Sequence, residues 1–147
     1  MPKAYASTVL DLPADQVWAT VRDFNALPVW ADQVVARSEI EGGKQPDQVG
    51  CVRSIHLHDG ANIRERLLAF SDQDRFYVYN FEKTPFDVQN YNATLRVTPV
   101  TDSGQSFVEW WTTFDCAPAD MDQWIDTFAN GVFGGGLKNL RTHLSRR

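Results

Sequence analysis

Arg53 and Glu65 have the residue types and the spacing to form a charged pair across a β-hairpin. They lie in the stretch GCVRSIHLHDGANIRERLLAF, where apolar and polar residues alternate on both sides of the triplet HDG. A three-residue hairpin loop is commonly a type I turn followed by a glycine in the left-handed conformation, and HDG at residues 58–60 fits that pattern. With this loop, Arg53 pairs directly with Glu65.

The charged pair falls on the face of the hairpin that is otherwise apolar. A slip of one residue would move every side chain to the other face, so the prediction depends on this register. A buried ion pair at best breaks even with apolar residues, so stability alone does not explain it. We expect either a cavity whose contents the pair contacts, or a structural bridge near the end of the sheet. The predicted inner face is Cys51, Arg53, Ile55, Leu57, Ala61, Ile63, Glu65, Leu67 and Ala69, and the predicted solvated face is Val52, Ser54, His56, Asn62, Arg64, Arg66 and Leu68.

Acid–base chemistry is one use for such a pair. Burial in an apolar cavity raises the pKa of a carboxyl group, and a neighbouring arginine lowers it again. We therefore expect Glu65 to stay ionised, as a base that Tyr77 or Tyr79 assists as proton donor or oxyanion partner. This set would suit an aldol-type cyclisation or a dehydration of a poly-β-ketone.

The sequence offers little for other site chemistry. His56 and His58 share one strand face and Asp59 follows, but that face is predicted to be solvated and His143 is far along the chain. We therefore expect no metal site and no cofactor. The two cysteines lie in predicted strands without a nucleophile elbow, which argues against a nucleophilic triad.

The elements that position the pair can be read along the chain. KAYASTVLDL predicts a first strand, LPADQVWATVRDF and NALPVWADQ predict two short helices, and residues 34–115 predict about six antiparallel strands joined by tight turns. From Ala117 to Arg147 the apolar residues recur at helical spacing, with acidic residues early and basic residues late, as in one long amphipathic helix. The order predicts a single α+β domain over residues 1–147.

Aromatic side chains are predicted to share the inner face with the charged pair. Tyr77, Tyr79 and Phe81 point inward if Asn80 and Glu82 face water. Further inner positions, on two later strands and on the C-terminal helix, are Tyr91, Trp110, Phe128 and Val132. Together with Arg53 and Glu65 these rings indicate a pocket, although each ring alone would suit an ordinary core.

Four glycines interrupt the predicted C-terminal helix. Gly131 and the run at residues 134–136 should each cost about 1 kcal/mol relative to alanine in a helix interior. Close packing, a bend, or space left for a ligand would each explain them.

Composition narrows the classes of partner. A formal net charge of −5 argues against nucleic acid as a partner. The sequence shows neither a signal-peptide pattern nor an apolar run of membrane-spanning length, and its two cysteines fit a reducing compartment, so we expect a cytoplasmic protein.

Phe107 and Trp111 fall on the face opposite Trp110, where exposed rings would allow a homodimer.

The chain resembles the START-like (SRPBCC, or helix-grip) superfamily, and within it the polyketide cyclase/dehydrase-like subgroup. The resemblance rests on the element order and on VWATVRDFNALPVW, VGCVRSIHLHDG with IRERLL, and YNATLRVTP before FVEWWTTFD. It implies a curved, seven-stranded antiparallel sheet around a long C-terminal helix, with two short helices after the first strand. It also implies an internal cavity for a hydrophobic ligand.

The resemblance places Arg53 and Glu65 at cavity-facing positions and matches Trp30 to the tryptophan that closes the second short helix, and we expect all three to contact the ligand. It supplies no complete catalytic set, so it favours a binding protein over an enzyme. We therefore expect a carrier or sensor of a small to medium hydrophobic molecule such as a lipid, a quinone or a polyketide. The alternative is a cyclase, aromatase or dehydrase that uses the same cavity.

Overall fold

The structure, a computed structural model, describes residues 1–146 and contains one antiparallel sheet and a long C-terminal helix. The seven strands lie in the order β1-β7-β6-β5-β4-β3-β2. Every neighbouring pair is antiparallel, which confirms the predicted α+β helix-grip architecture. The strands are β1 Lys3–Leu10, β2 Val35–Ile40, β3 Val52–Leu57, β4 Asn62–Ser71, β5 Phe76–Lys83, β6 Gln89–Val100 and β7 Gln105–Asp115.

The helices lie at two places in the chain. Two short ones, α1 (Ala14–Val21) and α2 (Leu27–Trp30), follow the first strand as predicted. The C-terminal helix has three consecutive segments: α3 (Met121–Asp126), a π-helical segment (Thr127–Gly134) and α4 (Gly135–Ser145). Arg147, the last residue of the predicted helix, lies outside the described residues. No helix within residues 1–146 is long and apolar enough to cross a membrane.

The β3–β4 hairpin has the predicted register. Arg53 pairs with Glu65 and Ile55 with Ile63. Gly60 has a φ of 94°, the left-handed conformation that the loop requires. Because this register holds, both charges of the pair lie on the inner face of the sheet.

Two expectations for this hairpin are wrong. A bulge between Leu67 and Ala69 pairs Ala69 with Val78, so that Phe70, instead of Ala69, faces the core and packs 5.6 Å from the ring of Trp18. The opposite face is also less solvated than predicted, because Val52 and Ser54 are buried. The segment after β2 covers this part of β3, held there by Glu41, whose carboxylate accepts two hydrogen bonds from Arg64 on β4.

The outer face near β1 carries the predicted surface rings. Trp111 is half-buried and stacks on Tyr5 with ring centroids 6.3 Å apart, and the Lys3 ammonium lies over both rings. Phe107 is also half-buried and pairs with Val9. The homodimer suggested by these rings stays a prediction.

The glycines of the C-terminal helix have different structural settings. A Cβ on Gly136 would lie 2.6 Å from Cζ3 of Trp110, so this glycine allows the helix to approach the sheet closely. A Cβ on Gly131 would meet no atom within 4 Å. Close packing and open space therefore both occur. The predicted long helix is confirmed, and its backbone is π-helical between α3 and α4.

Alanine substitutions at these two glycines should have opposite effects. Gly136→Ala is expected to lower the free energy of unfolding by about 1–3 kcal/mol, because the added methyl group overpacks against a rigid, buried ring. Gly131→Ala is the matched control, expected to raise it by about 0.4–1 kcal/mol through reduced chain entropy in the unfolded state. Urea unfolding of both variants measures the difference, and a neutral Gly136→Ala would contradict the close approach.

Candidate functional site

A cavity of about 340 Å³ lies between the inner face of the sheet, the segment that joins α2 to β2, and the C-terminal helix. This volume is at the lower end of the roughly 300–1,000 Å³ typical of small-molecule sites. Its lining is mostly apolar, and Arg53 and Glu65 are the only charged residues among those that line it within residues 1–146. Exposed residues at the opening, Val34 and Gly131, mark the mouth.

Eight of the ten predicted site residues line this cavity. They come from the inner face of five strands, β3 to β7, and from the π-helical segment of the C-terminal helix. The eight are Arg53, Glu65, Tyr79, Phe81, Tyr91, Trp110, Phe128 and Val132.

Trp30 and Tyr77 are fully buried but lie outside the cavity lining. The ring of Trp30 packs 5.6 Å from that of Trp110, and the ring of Tyr77 lies 6.1 Å from that of Tyr79. Both therefore support residues of the wall from behind. Direct contact of either residue with a ligand remains a prediction.

Arg53 and Glu65 form a buried ion pair in the cavity wall. Nε of Arg53 donates to Oε1 of Glu65 at 2.8 Å, and Nη1 donates to the backbone carbonyl of Phe24 at 2.9 Å. The guanidinium also packs against two neighbouring rings, 3.8 Å from the centroid of Phe24 and 4.7 Å from that of Tyr79, whose own centroids are 5.9 Å apart. These contacts fix the position of the arginine, and through it the position of the carboxylate.

Burial and charge act on this pair in opposite directions. Burial raises the pKa of Glu65, and the Arg53 guanidinium opposes that rise without cancelling it. For Arg53, burial disfavours the cation and is the largest single effect, but Glu65, Tyr77 and Tyr79 together outweigh it and raise the pKa of the guanidinium. Burial is the largest single effect on both groups, so the cost of this pair is the desolvation of both charges.

Two tyrosines place hydroxyl groups in the same wall. The indole N–H of Trp110 donates to the hydroxyl of Tyr79 at 2.9 Å, so the proton of that hydroxyl can be donated elsewhere. The ring of Tyr91 lies 6.3 Å from that of Tyr79. Burial raises the pKa of both phenols, which therefore remain neutral hydroxyls at physiological pH.

Aromatic rings form much of the remaining wall. Phe81 and Tyr91 stack with centroids 3.8 Å apart, and Phe86 contacts Phe81 at 5.9 Å and Phe128 at 5.6 Å. Phe86 was not predicted, because it belongs to KTPFD, which indicates a turn. The only signal for it was an aromatic residue within a turn sequence.

Asn139 on α4 connects the helix to the cavity mouth. Its side-chain oxygen accepts a hydrogen bond from the backbone N–H of Gln33 at 3.1 Å, and its amide donates to Asp32 at 3.2 Å. The imidazole of His58, in the β3–β4 loop, bonds the backbone carbonyl of Asp32 at 2.7 Å. The helix α4 and the β3–β4 loop thus both contact the segment between α2 and β2 at residues 32–33. Sequence reasoning missed Asn139, although a polar residue at a buried helix position was an available signal.

His56 and His58 do not form part of a metal-ligating cluster. Within residues 1–146 no group of three or more histidine, cysteine, aspartate or glutamate side chains is arranged to hold a metal ion. His56 lies near Glu39, with Nε2 and Oε1 3.7 Å apart, at the partly exposed edge of the sheet.

Comparison with known protein families gives a match over nearly the whole chain. The family model described as polyketide cyclase / dehydrase and lipid transport matches residues 1–145. No curated protein matches the chain.

Three bacterial structures illustrate the similarity. The protein XoxI from Bacillus cereus is 34% identical with a TM-score of 0.84, and the match covers 97% of this chain and 94% of that one. An uncharacterized protein from Bacillus thuringiensis is 33% identical, with a TM-score of 0.82 and coverage of 95% and 96%. A protein from Thermobifida fusca is 30% identical, with a TM-score of 0.87 and coverage of 99% and 95%.

Proposed function

The chain belongs to the polyketide cyclase/dehydrase and lipid transport family, and from this premise we propose that it binds a small to medium hydrophobic molecule in its internal cavity. A lipid, a quinone or a polyketide fits the proposal, and the protein acts as a carrier or sensor of it. The observation that carries the proposal is a mostly apolar cavity of about 340 Å³ whose wall holds a buried ion pair. A buried ion pair contributes little net stability, whereas a few polar groups in an apolar cavity can fix the orientation of a ligand.

The eight lining residues have two proposed roles. The rings of Phe81, Tyr91, Trp110 and Phe128 supply apolar contact area, and Val132 completes the wall beside the mouth. Arg53, Glu65 and Tyr79 supply the few polar groups that fix the orientation of a ligand in an otherwise apolar site.

Native mass spectrometry of the freshly purified protein tests this function. The expected result is a one-to-one adduct that organic solvent extracts and that chromatography identifies as an apolar molecule. A variant in which the cavity is narrowed, Gly135→Leu, should lack the adduct. An adduct retained in that variant, or one that stays in the aqueous phase on extraction, would contradict the proposal.

A second candidate function is catalysis in the same cavity, as a cyclase, aromatase or dehydrase. The observation that favours it is the raised pKa of Glu65, which brings this carboxyl group closer to the range of a general base. Glu65 would take a proton from the carbon next to a substrate carbonyl, and the Tyr79 hydroxyl would donate a hydrogen bond to the developing oxyanion.

Glu65→Gln separates the two candidates. An enzyme of this kind should lose about 10²- to 10⁴-fold in turnover, the usual contribution of a general base, while the apolar part of the substrate still binds. A carrier should retain its ligand, and no turnover should be detected in either the parent or the variant.

A further inference from the structure

The carboxylate of Glu65 is the part of the ion pair that faces the cavity. The Arg53 side chain is 1% exposed, whereas that of Glu65 is 7% exposed. Arg53 uses Nε and Nη1 for bonds within the protein, and the rings of Phe24 and Tyr79 pack against its guanidinium. A molecule in the cavity therefore meets Glu65 before it meets the arginine.

Glu65 retains an unused acceptor. Oε1 accepts the bond from Arg53, but no donor within residues 1–146 bonds Oε2. Oε2 is not one of the fully buried atoms that lack a partner, so it is accessible from the cavity. A charged acceptor without a partner in an apolar wall is costly. A ligand that donates a hydrogen bond would satisfy it.

Neighbouring tyrosines offer the complementary group. Because Trp110 donates to the hydroxyl of Tyr79, that hydroxyl has its own proton available as a donor. Both residues line the cavity, and a hydroxyl is a single group that has both a proton to donate to Glu65 and an oxygen to accept from Tyr79. The wall thus matches a group that is both donor and acceptor.

Charge excludes two other head groups. The charges of Arg53 and Glu65 cancel, and no further charged residue within residues 1–146 lines the cavity. A ligand carboxylate would face Glu65 without a free cation to balance it, and an ammonium would leave the site with an uncompensated positive charge. An uncharged head group meets neither penalty.

We propose that the inner end of the cavity recognises a hydroxyl group, as in a phenol, an enol or an alcohol, on an otherwise apolar aromatic ligand, and that it rejects the corresponding carboxylate. The stacked Phe81 and Tyr91 rings, with Trp110 and Phe128, favour a flat aromatic body. This inference rests on the proposed function, because it specifies the ligand class of the same cavity.

Calorimetric titration with three molecules of one ring system tests the inference. The probes are 2-naphthol, naphthalene and 2-naphthoate at neutral pH. The parent protein should bind 2-naphthol about 10- to 100-fold more tightly than naphthalene, the effect of one hydrogen bond to a charged group. It should bind 2-naphthoate more weakly than naphthalene.

Glu65→Gln should reverse this selectivity. Glutamine can keep the bond from Arg53 but removes the negative charge, so the arginine becomes an unbalanced cation beside the cavity. The variant should bind 2-naphthoate more tightly than 2-naphthol. Detectable naphthalene binding shows that the cavity of the variant is still present.

The titrations distinguish a failure of the head-group inference from a failure of the proposed function. If naphthalene and 2-naphthol bind the parent equally, or if Glu65→Gln leaves the ratio of 2-naphthol to 2-naphthoate unchanged, the head-group inference is wrong while hydrophobic binding stands. If none of the three binds the parent and native mass spectrometry shows no adduct, both the inference and the proposed function are wrong.

Discussion

Replacing Arg53 with methionine is expected to lower the free energy of unfolding by about 3–5 kcal/mol at neutral pH. The substitution leaves Glu65 buried, without the guanidinium that bonds it at 2.8 Å. An uncompensated carboxylate in an apolar environment costs far more than the net value of the pair itself. Urea unfolding followed by tryptophan fluorescence measures the loss.

The cost of Arg53→Met should depend on pH in a defined direction. Burial already raises the pKa of Glu65, so the folded state binds the proton of this carboxyl group more tightly than the unfolded state does. The resulting stabilisation is fully present below the ordinary carboxyl pKa. It is lost as the pH rises through the pKa of the folded state. Removing Arg53, which opposes the rise, moves the folded pKa higher still. The difference between parent and variant should therefore be largest at neutral pH and smallest near pH 4, about the ordinary carboxyl value.

Two controls complete the measurement. Arg66→Met removes an arginine from a partly exposed pair with Glu82 on the neighbouring strand, and it should stay within about 1 kcal/mol of the parent. Adding Glu65→Met to Arg53→Met should restore most of the lost stability, because an apolar pair of similar volume replaces an ion pair at little net cost. A double variant as unstable as the single one would show that the fold itself requires the pair.

Narrowing the cavity with Gly135→Leu is expected to weaken hydrophobic ligand binding at least about 10-fold, or 1.4 kcal/mol. Gly135 lines the cavity, and a Cβ at this position meets only the carbonyl oxygen of Asn130, at 3.7 Å. The leucine side chain therefore has space to form, and the space that it occupies is the cavity. Titration with naphthalene measures the loss.

Lys138→Leu is the matched control for Gly135→Leu. It introduces the same side chain three residues later on the same helix, at an exposed position outside the cavity lining. It should leave naphthalene binding unchanged. An equal loss of naphthalene affinity in the two variants would mean that the ligand binds elsewhere, or that leucine weakens binding through a general effect on the helix.

The sequence predicted the inner face of the sheet well, for a physical reason. Side chains alternate with a period of two along a strand, and Gly60 fixes the loop, so the pairing of Arg53 with Glu65 followed directly. The same rule failed after Leu67, because a bulge inserts one residue and shifts the alternation. No turn residue marks that bulge.

The parts of the site that depend on contacts between distant elements were harder to predict. Gly136 was notable in sequence only as a weak helix former; its contact with Trp110 needs the helix and β7 in place. Asn139 binds backbone and side-chain groups more than 100 positions earlier. Trp30 and Tyr77 were predicted to contact the ligand; both are buried but lie behind the cavity wall, and sequence position does not distinguish the wall of a cavity from the packing behind it.

Unfolding and ligand binding measured together on the Arg53→Met/Glu65→Met double variant test most directly whether the buried ion pair serves ligand recognition. We expect its free energy of unfolding to be within about 1 kcal/mol of the parent value or above it, since apolar replacements of buried pairs are often neutral or stabilising. We also expect its affinity for 2-naphthol to fall to its affinity for naphthalene. A stable double variant that still prefers 2-naphthol as strongly as the parent does would contradict the role of the pair in recognition.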